Sequence, residues 1–409
     1  MMSAQIRCVV GIDVAKDAHV VCALEAPSGV VRQRATRIEA SREGYTQLVH
    51  WLQTWGEPEA LLIGLEATGV LWEPLYEAVT HAGYTIVVLN PRQTSSWAAS
   101  LGLRAKTDGL DAHTLARGLL AGYARASTLP SEAVQSLRTL TRARRDLVKS
   151  QSAARQRLQD ELIPLFPELP RHLPQHADLA DPAILTFLSC YSSAQALARA
   201  DLAEVTAALA EASSKRWGQE EAQGLLALAQ HSAASTRAVG ARSLVVRTLC
   251  LHLLDLRARL AELEAAIAAV VEDDDETQRL QEIPGIGPHN AATIRAELGD
   301  VSRFSRVDQV IAYAGLEPRT HDSGRYAGQK RLSKRGPGAL RHALYLATLV
   351  AVRFRAEWRT RYQRLLTRGC AKKEAVIILA RGMLKIIYHL MRTGAAYDPT
   401  RVGFQQPES

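Results

Sequence analysis

Cys8-Val9-Val10-Gly11-Ile12-Asp13 is the stretch on which the fold turns: an apolar run that ends in a carboxylate. A run this short, rich in β-branched residues, reads as a buried strand. The pattern returns at Leu61-Leu62-Ile63-Gly64-Leu65-Glu66, where Glu66 closes a second apolar run. Two further acids stand in Lys106-Thr107-Asp108-Gly109-Leu110-Asp111, and these four of the acids in the first 111 residues are spaced as an RNase H-like metal site needs them.

Working outward from Asp13, residues 6 to 37 predict three strands, Ile6 to Ile12, His19 to Leu24 and Val30 to Ile38, with Pro27-Ser28-Gly29 as the second turn. A helix follows over Tyr45 to Trp55, then the strand Ala60 to Glu66, a helix near Trp72 to His81, and a strand Tyr84 to Leu89 closed by Asn90-Pro91. Three meandering strands followed by alternating strand and helix describe the RNase H topology, an α/β fold with a mixed sheet flanked by helices. Such a fold places one aspartate on its central first strand, a second carboxylate on a neighbouring strand and further acids on a later helix. Asp13, Glu66, Asp108 and Asp111 occur in that order.

A chain of 409 residues is long enough for two or three cores. The net charge of +8 is unevenly held: residues 319 to 373 contain 15 Lys or Arg against 2 Asp or Glu. Localised basicity of this kind favours a polyanion-binding surface. Five scattered cysteines with no CxxC pair support neither a disulfide framework nor a zinc ribbon, and a reducing cytoplasm is expected. No secretory leader pattern or long apolar run is present, so no membrane partner is expected.

From Ser131 to about Leu165 the pattern is helical and Arg-rich, and Arg138, Arg142 and Arg145 are read as phosphate contacts. Leu249, Leu253, Leu256, Leu260, Leu263, Ile267 and Val270 step by 4 and 3, the seam of a left-handed coiled coil. Between these helices, 170–240 is Ala-rich and helical, an insertion or cap with no assigned chemistry. The acidic run Glu272 to Glu276 reads as a solvated linker or fray point rather than a metal site, because adjacent residues on a helix diverge. Ile283-Pro284-Gly285-Ile286-Gly287-Pro288 before a helix over Ala291 to Leu298 reads as a helix-hairpin-helix, the alternative being a plain tight turn between two packed helices. There Gly285 and Gly287 would let backbone amides approach a phosphate.

The chemistry suggested is phosphodiester chemistry on nucleic acid. Four converging carboxylates repel one another unless a hard cation lies among them, and Mg2+ is the expected ion, alone or paired. The alternative is that each acid caps a strand or helix. Lys106 reads as a phosphate contact or a surface lysine; Asp17 is assigned to the first turn and His113 to packing. The segments Arg319 to Tyr326 and Lys330 to Gly336 form a basic loop. In it Ser323 or Ser333 is either a nucleophilic hydroxyl or an ordinary loop hydroxyl or phosphate contact, and Arg325, Lys330, Arg331, Ser333, Lys334 and Arg335 are phosphate-binding candidates.

Taken as a set, these motifs resemble the DEDD transposases of the insertion sequence 110 family, which includes the Piv site-specific DNA invertases. The resemblance rests on Val-Val-Gly-Ile-Asp13-Val-Ala-Lys, Gly-Leu-Glu66-Ala-Thr-Gly and Lys-Thr-Asp108-Gly-Leu-Asp111-Ala within 9–125. Within 280–345 it rests on Ile-Pro-Gly-Ile-Gly-Pro, Tyr-Ala-Gly-Leu-Glu-Pro, Asp-Ser323-Gly and Leu-Ser-Lys-Arg-Gly. It implies a RuvC-like DEDD domain over 1–128, a coiled-coil domain over 129–278, a mainly helical transposase domain over 279–395 and a tail over 396–409. It also implies that Asp13, Glu66, Asp108 and Asp111 work with a serine that forms a 5′-phosphoserine with DNA, by motif Ser323, with Ser333 as runner-up. Donor and target DNA, a guide (bridge) RNA from the element's non-coding end, and a homodimer or tetramer are the implied partners, in a bacterial cytoplasm at the nucleoid. Acids and serine in separate domains predict a composite site, shared between subunits if the coil joins them. A RuvC-type junction-resolving nuclease using metal and water, and a non-catalytic nucleic-acid scaffold, are the competing readings.

Overall fold

The computed structural model describes residues 6–66, 69–89, 91–100, 108–122, 129–174, 177–319 and 331–398. The chain divides after Leu129 into two compact units.

The first unit is built on five strands, β1 (Cys8–Asp13), β2 (Ala18–Glu25), β3 (Val31–Glu39), β4 (Leu61–Glu66) and β5 (Ile86–Leu89), in the order β3-β2-β1-β4-β5. β1 runs antiparallel to β2 and parallel to β4, and β5 is parallel to β4. Its helices are α1 (Arg42–Trp55), α2 (Glu73–His81), α3 (Pro91–Ser100) and α4 (Asp108–Leu120).

Alternation along β1 decides what each face meets. Cys8, Val10 and Ile12 join Leu48 and Leu52 of α1 and Leu75 and Val79 of α2 in one core. Val9 faces the other way, with Leu115 and Leu119 of α4, while Cys22 and Leu24 of β2 meet Ala112 and Ala116. The unit is therefore a mixed sheet between two helical layers, an RNase H-like arrangement, as the order of strands and helices in the sequence predicts.

The second unit is almost wholly helical. Its backbone is a pair of 34-residue helices, α5 (Glu132–Leu165) and α10 (Val239–Glu272). Ser131 caps α5 by accepting a hydrogen bond from the Val134 amide. Arg144 pairs with Glu264 at 2.7 Å and Arg242 with Glu161 at 2.7 Å, a reversed order that makes the two helices antiparallel.

The heptad seam is thus filled within one chain: Leu253, Leu256, Leu260 and Ile267 are buried and α5 lies along α10. The seam therefore meets α5, along its buried row of Val134, Leu137, Thr141, Ala154, Leu158 and Leu162, rather than a second subunit.

Helices α6 (Pro182–Cys190), α7 (Ala194–Ala198), α8 (Leu202–Ala212) and α9 (Gln219–Gln230) close one end of this pair around Leu158, Leu162, Val246 and Cys250. At the other end, Leu137, Ile267 and Val271 pack with Ala292 and Ala296. Those alanines belong to α12 (Pro288–Leu298), which follows α11 (Asp275–Gln281) and a turn over 282–287. A third core joins α11, α12, α13 (Val307–Ala314), α14 (Gly338–Phe354), α15 (Ala356–Thr367) and α16 (Lys372–Thr393). Between α13 and α14 the short strands β6 (Pro318–Arg319) and β7 (Arg331–Leu332) pair antiparallel. Among the described residues no helix is long and apolar enough to cross a membrane.

Candidate active site

Asp13 and Glu66 reach the same face of the sheet for one reason. Gly11 pairs in register with Gly64, and Ile12 with Leu65, so the next residues along, Asp13 and Glu66, end neighbouring parallel strands. Each acid lies two residues beyond its glycine and so shares its face.

That face is where α4 sits. A Cβ on Gly11 would stand 2.3 Å from Ala112 O and 2.5 Å from Ala116 N, and one on Gly64 would stand 2.6 Å from Leu119 Cδ1. The paired glycines form a flat seat, and Ala112 and Ala116 complete the close approach. Direction follows from the same contacts: Val9 meets Leu115 and Leu119, and Gly11 meets Ala112 and Ala116. Advancing along β1 therefore retreats along α4, and the first turn of α4, Asp108 to Asp111, falls toward the Asp13 end of the strand. The positive end of the α4 dipole is there, which favours carboxylates.

Glu66 is held from a third side. Thr94 of α3 donates its hydroxyl to Glu66 Oε2 at 2.5 Å. One turn on, Trp97 covers α4, its ring Nε1 lying 3.1 Å from where a Gly118 Cβ would be. Burial lowers the pKa of His113 on α4, with Arg117 adding to the effect, and the side chain is half-buried. Asp17 lies in the turn between β1 and β2, its carbonyl accepting from the Ala40 amide.

Oxygen-only donors on two strand ends and a helix N-terminus suit a hard divalent cation. Among the described residues no three His, Cys, Asp or Glu side chains gather closely enough to hold one. The Asp108 side chain lies outside those residues, as does Lys106.

The basic loop is only partly described. Ser323, Arg325 and Lys330 lie outside the described residues, which resume at Arg331. The stretches flanking this gap are firmly seated. Ser333 N donates to Glu317 O at 3.0 Å, and Lys334, with φ of +51°, donates from its amide to Gly315 O at 3.2 Å. A Cβ on Gly336 would collide with Tyr313 O at 1.6 Å. Arg341 ties both sides together, donating to Ala314 O at 3.1 Å and Gly336 O at 2.7 Å. The Ser333 hydroxyl is buried and meets no partner among the described residues, while Lys334 and Arg335 are exposed.

The α5 arginines read as phosphate contacts have internal partners. Arg138 Nε donates to Ala296 O at 3.0 Å, and Arg142 makes a two-pronged pair with Glu297 at 2.9 and 3.0 Å. Both tie α5 to α12. Among the described residues Arg145 pairs with the neighbouring Asp146 alone, at 3.5 Å. Gly285, at φ of +89°, is glycine because its turn presses on α14: a Cβ would stand 2.2 Å from Ala347 O. Gly287, by contrast, faces open space. The acidic run is solvated only in part: Glu272, Asp273 and Asp275 are exposed where α10 ends, while Asp274 and Glu276 each meet Arg295 at 3.1 Å.

Gly11, Gly64 and Thr94 were not among the residues singled out from sequence. For the glycines a signal existed, the repeated Gly-x-acid at the end of an apolar run. For Thr94 none did.

An RNase H-like sheet with acids at these places defines the DEDD class of metal-dependent nucleic-acid enzymes. Residues 10–167 match the family model of the DEDD transposases of IS110 type, and residues 277–363 match that of the IS116/IS110/IS902 transposase family. The chain belongs to the IS110/IS116/IS900 family of DEDD transposases, enzymes that cleave and join DNA, with pilin gene-inverting proteins among its relatives. It is 27% identical over 393 residues to an IS900 insertion-element protein of Mycobacterium paratuberculosis, covering 95% of this chain and 96% of that one. Identity is 31% over 169 residues to the transposase for IS1111A of Coxiella burnetii, covering 40% and 46%. The pilin gene-inverting protein of Moraxella bovis is 23% identical over 393 residues, covering 95% and 97%.

Proposed function

We propose that this transposase mobilises its own insertion element by cutting and rejoining DNA through a covalent serine link, with Asp13, Glu66, Asp108 and Asp111 as its metal-binding acids. The observation that carries the reading is the paired-glycine seat, which brings two strand-end acids under the first turn of the helix that bears the other two. Held there, Mg2+ would supply positive charge to the phosphate oxygens as they gain electron density. The protein's own part is to keep the acids aligned: α4 is fixed by its close approach to the sheet, and Glu66 by Thr94.

The nucleophile is assigned to Ser323. Ser333 is the weaker choice because its hydroxyl is buried. Attack by Ser323 Oγ on the scissile phosphorus breaks the bond to the 3′ oxygen, which leaves as a hydroxyl carrying the serine proton. The resulting 5′-phosphoserine ester conserves the energy of the broken bond, and attack by a new 3′-hydroxyl restores both the backbone and the serine. Arg325, Lys330, Arg331, Lys334 and Arg335 are assigned to phosphate. Target choice is assigned to a guide RNA that pairs with donor and target DNA, leaving the protein to contact backbone and shape. Assembly as a homodimer or tetramer is part of the proposal, through surfaces other than the Leu253 to Ile267 row.

The test is to express the chain with its flanking element and search for protein-linked DNA on denaturing gels, mapping the attachment by peptide mass spectrometry. The expected result is a phosphodiester on Ser323 that disappears in Asp13→Ala. Cut DNA with no adduct, in wild type and Ser323→Ala alike, would replace this reading with that of a hydrolytic RuvC-type nuclease.

A further inference from the structure

The solvent side of α15 carries two adjacent rows, Arg359, Gln363, Thr367 and Thr360, Arg364, Arg368. Steps of four keep each row on one face of the helix. Together the six side chains line a shallow groove of 520 Å³. Every one of them bears an N–H or O–H donor and none bears a carboxylate.

The surroundings strengthen the pattern. Residues 353–373 hold eight Lys or Arg against Glu357 alone. Arg353, Arg355, Lys372 and Lys373, which flank α15 in sequence, are exposed. Arg361 points elsewhere: it is half-buried, within the influence of Glu357 and Tyr397. Arg364 and Arg368 are different, since neither guanidinium has an acceptor among the described residues. Buried Trp358 anchors the opposite side of the helix and fixes which face is shown.

We propose that this face of α15 docks the phosphate backbone of duplex DNA. The inference rests on reading the chain as a DNA transposase, and it adds a contact surface well separated in sequence from the carboxylates. Guanidinium groups offer paired donors suited to phosphate oxygens, and Thr360, Gln363 and Thr367 add neutral donors of the kind that set register on a backbone. Arg359, Arg364 and Arg368 follow one another at about 6 to 7.5 Å along the helix axis, a ladder for tracking a strand. Neither row contains an aromatic ring, the stacking platform on which single-stranded RNA or DNA is usually held. The competing account is that Arg364 and Arg368 only complement the negative end of the helix dipole, a role that involves no ligand.

The experiment uses the full chain with Arg364→Gln and Arg368→Gln together. Binding is read by fluorescence anisotropy against a 30-base-pair DNA duplex and, separately, a 30-nucleotide single-stranded RNA, over a series of salt concentrations. Loss of two phosphate contacts lowers the slope of log affinity against log salt for the duplex by roughly 1.8, with affinity near 0.1 M salt falling on the order of tenfold or more. RNA binding and the melting temperature stay as in the wild type. A companion Arg364→Lys, Arg368→Lys variant keeps the charge and so keeps the slope. Unchanged duplex binding would overturn the proposal, and so would a loss that falls on the RNA instead. The serine-adduct assay is independent of this one: a chain that makes no adduct but shows arginine-dependent duplex binding would remove the catalytic reading and leave this surface standing.

Discussion

Thr94 and Glu66 are joined by a 2.5 Å hydrogen bond between α3 and the end of β4, donated by the threonine hydroxyl. It fixes one carboxylate oxygen and so the direction of the other. Groups that orient a metal-binding carboxylate typically affect metal affinity by about 10- to 100-fold. Thr94→Val keeps the shape and removes the donor, so Mn2+ affinity measured by titration calorimetry is expected to fall within that range. Thr94→Ser restores it. Equal affinity in the valine variant would show that Glu66 needs no such support.

The seat under α4 makes a sharper prediction about stability. A methyl group at Gly11 has no room, because backbone atoms rather than a flexible side chain stand 2.3 and 2.5 Å away. Gly11→Ala is expected to push α4 off the sheet at a cost of about 1–3 kcal/mol or more, and to displace Asp111 with it. Gly224, inside α9 with nothing within 4 Å, provides the contrast. Gly224→Ala should gain about 0.5–1 kcal/mol by removing glycine's entropy cost in a helix. Thermal melts of the two variants check both signs.

The elements of the first unit were legible because alternation and apolar runs are local signals. β1, β4 and β5 fall where the runs of Cys8, Leu61 and Tyr84 predict them. Partnership was less legible. The row from Leu253 to Ile267 announces a buried helix face but not what covers it, and α5 lies more than 70 residues away in sequence. Arg142 and Glu297, 155 residues apart, gave no sign of each other, so an arginine serving the fold looked like one serving a ligand. Gly285 fitted a phosphate turn as well as the packing turn it forms, because both uses require a missing side chain. The acidic run misled for a geometric reason: α10 ends at Glu272 and α11 begins at Asp275, so the chain bends inside the run and lets two of its acids converge on Arg295.

That convergence can be tested. Arg295 and Asp274 are only 11% and 14% exposed. Removing one member of a buried pair leaves its partners desolvated and unmatched, which costs about 3–5 kcal/mol. Arg295→Leu is therefore expected to lower the urea midpoint strongly. Lys149→Ala, which breaks the exposed pair with Asp146, should change it by no more than about 0.5 kcal/mol. Similar small effects from both would mean that the acidic run contributes little to the α10–α11 junction.

His19 gives the fold a pH dependence whose sign can be stated. It is 1% exposed, stacked on Tyr45 at 5.8 Å, and its Nδ1 has no partner among the described residues. Burial lowers its pKa below the ordinary histidine value of 6.5. The unfolded chain therefore takes up a proton at a higher pH than the folded chain, and stability is lost as pH falls from about 6.5. His113 and His289 are lowered chiefly by burial too and act in the same direction. His19→Phe removes one of the three contributions, so its melting temperature should converge with or exceed that of the wild type as pH drops from 7.5 to 5. The difference in stability should shift in favour of the variant at a limiting rate of roughly 1.4 kcal/mol per pH unit for one proton. Parallel curves across that range would mean that His19 is protonated equally easily in both states, and that its burial carries no electrostatic cost.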